Sequence, residues 1–312
     1  MKGPTMNREQ CLASMKAPGD ERGTACYGVV QIAITSRCDL GTCSNCTQMI
    51  AYRKSEDMTR ENARLAMESL AGYPGVVGIF GGNPCLHPDF AEISLDLAEV
   101  VEDQGKRGLW TNNINGHGAV INSVYGYYNI NCHGNPAWTA EARRDVPCAT
   151  VWGASDGANS ANGGHSIHGG VMVAMEDLEP DESARYDMIA DCDVNQRWSP
   201  AIVQINGRLV AYFCEVAASF AAIKRQGWRQ GMPVAPGWWR EPMESFGKQV
   251  DTYCHRCGVP FRLRGHQDDA ATDDVSETWA PSAEARKRDH VIHHEIGGRA
   301  TELTDYQKLR GE

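Results

Sequence analysis

The sequence predicts an α/β fold built on a parallel β-sheet. Short apolar runs at 27–35, 76–80 and 107–111 predict three buried strands, and helical patterns lie between them. Strands and helices that alternate with short connections indicate right-handed βαβ units. Because the carboxyl ends of parallel strands meet at one edge, we expect polar residues that follow these strands to share a site.

The elements of this part follow in order. Thr59 is suited to cap the helix after the first strand, and apolar residues recur at helical spacing as far as Leu70. A second helix is predicted within 87–101, before the third strand. Further strands are predicted at 127–132 and 170–175, with a helix at 182–190. The segment 153–170, rich in Gly, Asn, Ser and His, is predicted to be a long functional loop.

The C-terminal part has a different character. Strands at 201–205 and 208–213 flank Asn206 and Gly207, a pair typical of a type I′ hairpin, and a helix is predicted at 215–224. We therefore divide the chain into an irregular leader (1–26), an α/β domain (27–190), a small module (191–264) and an exposed polar tail (265–312). The histidines of that tail are expected to be solvated: His290, His293 and His294.

Composition narrows the classes of function. The chain has 312 residues, 42% of them hydrophobic and 22% charged, which is typical of a globular soluble protein. The sequence contains no apolar run long enough for a membrane span and no apolar N-terminal signal, so we expect a cytoplasmic protein without membrane partners. A net charge of −10 makes a broad basic surface for nucleic acid unfavourable.

Cysteine is the most informative residue type. Twelve cysteines in a chain without an export signal favour metal ligation over disulfides. Cys38, Cys43 and Cys46 follow the first predicted strand within nine residues. Three thiolates would hold an iron–sulfur cube with one iron open to another ligand. The alternative is a structural zinc site that uses Cys43 and Cys46 with partners elsewhere.

This three-cysteine loop resembles the radical S-adenosylmethionine (radical SAM) family. The usual family spacing is C-x3-C-x2-C, whereas this chain has C-x4-C-x2-C. The resemblance, which spans about residues 30–130, implies a partial (β/α) TIM-like barrel. It also implies a [4Fe–4S] cluster on Cys38, Cys43 and Cys46, SAM bound at the open iron, and an electron donor of the flavodoxin or ferredoxin type.

Two further segments carry the same resemblance. Gly81, Gly82, Asn83 and Pro84 resemble the Gly-Gly-Glu-Pro motif that binds the SAM methionyl group, with Asn83 in place of the glutamate. The third strand ends in a segment that resembles the family's Thr-Asn-Gly. The implied SAM-binding residues there are Thr111, Asn112 and Asn113. His133, at the end of the fourth predicted strand, is a candidate contact for cofactor or substrate.

A second cysteine set consists of Cys192, Cys214, Cys254 and Cys257. With the hairpin between its first two members, it resembles the twitch or SPASM-like auxiliary-cluster modules of radical SAM enzymes. The resemblance implies a second [4Fe–4S] cluster with four thiolate ligands. A four-cysteine zinc ribbon is the alternative.

The function implied is a radical SAM enzyme that cleaves SAM to a 5′-deoxyadenosyl radical and abstracts hydrogen from an amino-acid-like substrate. An amino acid attached to a DNA base is one candidate, and the reaction would be a rearrangement, as in an isomerase, or formation of a C–X bond. Two alternatives remain open. One is a maturase that modifies a peptide or protein, and the other is a zinc-stapled α/β binding protein without catalysis.

Overall fold

The structure, a computed structural model, describes residues 6–22, 28–154, 164–197, 199–224, 226–286 and 290–296. The α-helices in these ranges are α1 (Arg8–Ser14), α2 (Arg60–Ser69), α3 (Phe90–Val100), α4 (Gly118–Val124), α5 (Pro136–Asp145), α6 (Met175–Leu178), α7 (Glu182–Ala190), α8 (Asp193–Arg197), α9 (Glu215–Ile223), α10 (Gly247–Tyr253) and α11 (Ala280–Arg286). The strands are β1 (Val29–Thr35), β2 (Val76–Gly81), β3 (Arg107–Thr111), β4 (Tyr127–Asn131), β5 (Val151–Trp152), β6 (Ile167–His168), β7 (Ala201–Ile205), β8 (Arg208–Tyr212), β9 (Met232–Pro233), β10 (His266–Gln267), β11 (Thr272–Ser276) and β12 (His290–His294).

The α/β prediction is confirmed by one large sheet. Its eight strands run in the order β5-β4-β3-β2-β1-β7-β8-β9. The six from β5 to β7 pair in parallel, and only β8 and β9 are antiparallel to their neighbours. This arrangement is consistent with a partial β/α barrel. The carboxyl ends of β1, β2, β3 and β4 therefore lie along one edge, with polar side chains beyond them.

The local signals for α2 and the hairpin act as predicted. Thr59 caps α2 by accepting a hydrogen bond from the Asn62 amide at 3.2 Å. On the outer face of the same helix, Arg60 pairs with Asp96 of α3 through two hydrogen bonds of 2.6 and 2.8 Å. In the β7–β8 turn, Asn206 and Gly207 have φ values of 50° and 74°, which is the left-handed pair that a type I′ turn requires.

We expected residues 1–26 to form an irregular leader, but part of this segment is helical. Residues 8–14 form α1, whose capping box joins Asn7 and Gln10 and whose Leu12 is buried in the core. Arg8 also pairs with Asp251 of α10 at 2.8 Å. A helix this short is marginal alone and depends on packing, so periodicity gives little sign of it. Residues 23–27, which include Cys26, lie outside the described residues.

The expectation of an exposed tail from residue 265 is wrong for its first part. Strand β11 pairs in parallel with β12, and Val275 and Trp279 are buried. The Trp279 ring stacks on Phe220 of α9 with 4.6 Å between centroids. Polar composition suggested exposure, yet Asp273 and Asp274 are also buried because other parts of the chain satisfy their carboxylates. Residues 297–312 lie outside the described part.

Other differences are smaller. The predicted strand at 170–175 is a buried extended segment with a single bridge from Met172 to Val275, because its edge faces the C-terminal segment rather than the main sheet. Of the loop predicted at 153–170, residues 155–163 lie outside the described part, and 167–168 form β6.

No disulfide joins the cysteines in the described ranges. None of the helices found there is long and apolar enough to cross a bilayer.

Candidate functional site

A cavity of about 540 Å³ extends from the start of β1 at Val29 to the carboxyl edge of the sheet. It brings together the three cysteines of residues 38–46, here called the cysteine loop, and five of the eight residues predicted to bind cofactor. Those residues are Cys38, Cys43, Cys46, Gly81, Gly82, Thr111, Asn112 and His133. The other three predicted residues, Asn83, Pro84 and Asn113, are buried but do not line the cavity.

Glycine is required where β2 meets the cysteine loop. At Gly82 a Cβ atom would lie 2.2 Å from the Arg37 carbonyl oxygen and 3.0 Å from the Cys38 Cβ. At Gly81, φ is +147° and a Cβ would lie 2.2 Å from the Thr35 carbonyl oxygen. The two glycines therefore let the end of β2 pack directly against the start of the loop.

We expect Gly82→Ala to lower the free energy of unfolding by about 2–3 kcal/mol, because the added methyl group meets backbone atoms that cannot move aside without displacing the cysteine loop. Urea denaturation measures the change. Gly105→Ala is the matched control, since its nearest contact is the flexible Asp103 side chain at 3.2 Å. Equal effects of the two substitutions would contradict the tight packing at Gly82.

Asn83 holds three segments of the site together instead of facing the cavity. Its side-chain amide donates to the Asp39 carboxylate and, at 3.0 Å, to the Asn113 carbonyl oxygen. Its Oδ1 accepts from the Cys85 amide at 3.0 Å and the Thr111 hydroxyl at 2.6 Å. The Asn83 side chain therefore already has partners within the protein for both its amide nitrogen and its Oδ1.

The C-terminal segment 266–276 supports the cysteine loop from the other side. Asp273 accepts from the Asn45 amide at 2.7 Å and from the Tyr52 hydroxyl. Asp274 accepts from the Asn45 side chain at 2.7 Å, and its own amide donates to Asn45 Oδ1 at 2.8 Å. Ser44 donates its amide to the Asp268 carbonyl oxygen at 2.9 Å. Residues more than 220 positions apart thus fix the loop that carries the cysteines.

Asp268 links this segment to two histidines near the cavity. Its carboxylate accepts from His133 Nδ1, from His165 Nδ1 at 2.6 Å and from the Ser166 amide at 2.9 Å. Burial alone raises the pKa of Asp268, but the contacts with His133, Ser166 and His165 outweigh it and hold the pKa at about 2. His133 lines the cavity, and its left-handed φ of 46° is a conformation that costs a non-glycine residue some backbone strain.

We expect Asp268→Asn to lower the free energy of unfolding by about 1–3 kcal/mol near pH 7, because it weakens several hydrogen bonds to one buried carboxylate. Since the folded pKa lies below the ordinary value, this contribution is present above about pH 4 and is lost as the pH falls towards 2. Urea unfolding between pH 3 and 7 tests both points. Asp269→Asn, at a half-exposed neighbour, is the control, and a pH-independent difference would contradict the assignment.

The second cysteine set converges on a separate apolar cavity. Cys192 follows α7, Cys214 follows β8, and Cys254 and Cys257 follow α10; all four line this cavity. Its other walls are mostly apolar side chains such as Met15, Phe213, Phe220, Tyr253 and Val259. The structure therefore brings together four cysteines that are spread over 66 positions of the sequence.

Backbone amides point at the sulfur atoms in both cysteine sets. Burial raises the pKa of Cys38, Cys192 and Cys257, and amide hydrogen bonds oppose this effect in each case. The same holds for Cys214, whose pKa is raised to about 12. The donors are the amides of Leu40 and Gly41, of Val194 and Asn195, of Val216 and Ala217, and of Val259. Such donors favour the thiolate that metal ligation requires.

The spacing of the thiols bears on the kind of metal. A metal site needs at least three His, Cys, Asp or Glu side chains whose ligand atoms lie close together. Within the described ranges, one such group has all its ligand atoms within 4.8 Å of one another, and it consists of His165, Asp268 and Asp269. No three cysteine sulfurs therefore meet that limit. A tetrahedral zinc with Zn–S bonds near 2.3 Å would bring its sulfurs to about 3.8 Å. An iron–sulfur cube takes one cysteine on each iron and spreads them further.

Sequence reasoning missed the polar residues on the β1–β7 side of the cavity, namely Gln31, Gln48, Ser199 and Glu215. Glu215 begins α9 and is 5% exposed; its carboxylate accepts from the Ser199 hydroxyl at 3.0 Å. Burial raises its pKa to about 7, with the Ser199 hydrogen bond opposing. A usable signal existed for Gln31, which interrupts the apolar run of β1.

Comparisons with known proteins give little beyond this geometry. No family model matches the chain, and no curated protein matches it. A search of solved structures finds the crystal structure of BtrN in complex with AdoMet and 2-DOIA, with a TM-score of 0.45 and 14% identity. The match covers 74% of this chain and 93% of that chain. A similarity this distant assigns no family, and the proposal below stands on the site itself.

Proposed function

We propose that this protein is a radical SAM enzyme. The observation that carries the proposal is that three cysteines from one short loop line a single cavity together with Gly81 and Gly82, at the carboxyl edge of a parallel sheet. The cavity is large enough for a cofactor and part of a substrate. We further propose the cytoplasm as its location, since exposed thiolate ligands and a reduced cluster need a reducing compartment.

The residues of the cavity fit a [4Fe–4S] cluster with one open position. Cys38, Cys43 and Cys46 face the same space, and the amides of Leu40 and Gly41 are directed at the Cys38 sulfur. When bound, such a cluster supplies the electron that cleaves SAM to a 5′-deoxyadenosyl radical, which then takes a hydrogen atom from the substrate. The electron would come from a flavodoxin- or ferredoxin-type donor.

The chain itself contributes positioning and exclusion of water. Gly81 and Gly82 line the cavity beside the cysteine loop, where their backbone atoms can contact the methionyl part of SAM. Asn112 has a buried Oδ1 without a hydrogen-bond donor, and its Nδ2 lies 3.9 Å from the Cys38 sulfur. This orphaned acceptor suits an amine or hydroxyl of a ligand bound next to the loop. Thr111 and His133 complete the same wall.

We propose that the second cysteine set binds an auxiliary [4Fe–4S] cluster with no open position. Its four thiols share one apolar cavity, amides are directed at three of the sulfurs, and no three of the sulfurs lie within 4.8 Å of one another. Apolar surroundings keep water from such a cluster. We propose that it takes up an electron from the substrate or helps to bind it.

For the substrate we propose an amino-acid-like moiety, rearranged or joined through a new C–X bond. An amino acid carried on a DNA base, a free amino acid and a side chain of a peptide or protein are the candidate forms. A mass shift on a nucleoside, on a small molecule or on a co-expressed protein distinguishes them. The last outcome would make the enzyme a maturase.

Anaerobic purification with counts of iron, sulfide and zinc, followed by dithionite and SAM, tests the proposal. We expect about eight irons per chain and release of 5′-deoxyadenosine. About four irons and one zinc would retain the radical chemistry and make the second site a zinc staple. Zinc alone, with no 5′-deoxyadenosine, would leave a binding protein and overturn the proposal.

A further inference from the structure

The cavity contains a buried carboxylate with no positive partner. Glu215 is 5% exposed, and its hydrogen-bond partner is the neutral Ser199 hydroxyl. Among the described residues, no ion pair reaches it. A carboxylate kept from water without a cation is costly, so a bound ligand that supplies one would be strongly favoured here.

The two arginines of the same cavity are engaged elsewhere. Arg22 donates from its terminal nitrogens to the carbonyl oxygens of Asn195, Lys16 and Ala17 at 2.7 Å. Arg197 lies 3.6 Å from the Asp193 carboxylate. Neither side chain forms an ion pair with Glu215, so the acceptor at the head of α9 remains available to a ligand.

Two further buried side chains that line the same cavity have unsatisfied polar atoms. Gln31 is 3% exposed, and its Oε1 accepts no hydrogen bond. The Gln31 backbone amide donates to the carbonyl oxygen of Pro200, the residue after Ser199, at 2.9 Å. Gln48 is 7% exposed; its Oε1 accepts from Ser219, one turn along α9 from Glu215, and its Nε2 has no acceptor. Buried polar groups of native proteins are normally satisfied, so these atoms indicate a polar ligand.

We propose that Glu215 and Gln31 bind a protonated amine of the substrate, and that Gln48 donates to an oxygen next to that amine. An ammonium group provides three donors and a charge, which match a carboxylate and an amide oxygen. A carbonyl or carboxyl oxygen beside it matches the amide donor of Gln48. The class of substrate is therefore an α-amino acid or a primary amine next to a carbonyl group. This inference rests on the proposed function and specifies what its cavity accepts.

Pairs of probes that differ only in an amine and a hydroxyl test the site. The probes are glycinamide against glycolamide, and 5-aminomethyl- against 5-hydroxymethyl-2′-deoxyuridine for the nucleoside form. Binding is measured by calorimetry or ligand-detected NMR at pH 7 on the anaerobic, iron-loaded protein. We expect at least one amine to bind about tenfold or more tightly than its hydroxyl partner, since charge-assisted hydrogen bonds are the stronger kind.

Variants connect that preference to the carboxylate. Glu215→Gln keeps the size and the Ser199 contact and should abolish the preference, and Ser199→Ala retains the charge and should preserve most of it. Glu244→Gln, at an exposed position outside the cavity, is the control. Hydroxyl probes that bind as tightly as amines, or an unchanged preference in Glu215→Gln, would overturn the proposal. A purely structural Glu215 would change stability without changing this selectivity.

Repeating the titrations with saturating SAM separates two sources of the amine. If amines bind only without SAM, Glu215 serves the methionyl amine of SAM and the substrate assignment is overturned. Release of 5′-deoxyadenosine by the wild type reports the proposed function separately. If amines bind selectively but no 5′-deoxyadenosine is released, the radical chemistry is ruled out and the amine site stands. If 5′-deoxyadenosine is released but amines do not bind selectively, the amine site alone is ruled out.

Discussion

Cys43→Ala is expected to abolish reductive cleavage of SAM. Removal of one of three thiolates from the cysteine loop leaves too few ligands for the cluster. We expect release of 5′-deoxyadenosine to fall by more than about 100-fold. Loss of a residue that only hydrogen-bonds to a metal ligand already lowers metal affinity or activity by roughly 10- to 100-fold, and loss of a ligand itself should have a larger effect. The iron count should fall from about eight to about four. Anaerobic assay with dithionite and SAM, with iron analysis of the same sample, measures both.

Cys148→Ala is the matched control. Cys148 is exposed and lines neither cysteine cavity, so its removal should leave iron content and turnover unchanged. If Cys43→Ala retained iron and activity, the cysteine loop would not hold the catalytic cluster. An iron count that fell with undiminished 5′-deoxyadenosine release would point to the second cysteine set as the site of cleavage.

Cys257→Ser is expected to empty the second site and to destabilise the protein. The four thiols line one apolar cavity, so a metal that joins them would hold the surrounding elements together. Because binding free energy of a structural metal contributes to folding, we expect a loss of several kcal/mol in the free energy of unfolding. The iron count should again fall to about four, and Tm should decrease by more than 10 °C.

Cys132→Ser controls for removal of a buried cysteine as such, since Cys132 is buried but lines neither cavity. It should retain the full iron content and cost much less stability. A variant Cys257→Ser that lost one zinc and no iron would identify a zinc ribbon. One that lost nothing would show that the four cysteines bind no metal.

Much of the fold follows from local patterns in the sequence. The apolar runs of β1, β2 and β3, the Thr59 cap of α2 and the Asn206–Gly207 turn each specify an element through nearby residues, and each is found where predicted. Short helices are harder, because α1 is held by partners such as Asp251 that lie far along the chain. Propensity and periodicity contain no information about such partners.

The C-terminal segment shows why burial of polar residues cannot be predicted from composition. Asp268, Asp273 and Asp274 suggested a solvated tail, yet they are buried because the cysteine loop, Tyr52 and two histidines satisfy their carboxylates. A carboxylate enters a protein interior only when such partners are present. Those partners are identified only when distant segments of the chain meet.

The sequence by itself determined the parallel α/β architecture, the three-cysteine loop after β1, and the glycines after β2, because turn chemistry, apolar periodicity and cysteine spacing are local properties. Only the tertiary structure decided that four distant cysteines share one apolar cavity, that Asn83 is turned away from the site, and that Glu215 faces into it. The physical reason is that cavity walls and hydrogen-bond partners depend on long-range packing, which fixes where each side chain points after the elements have formed.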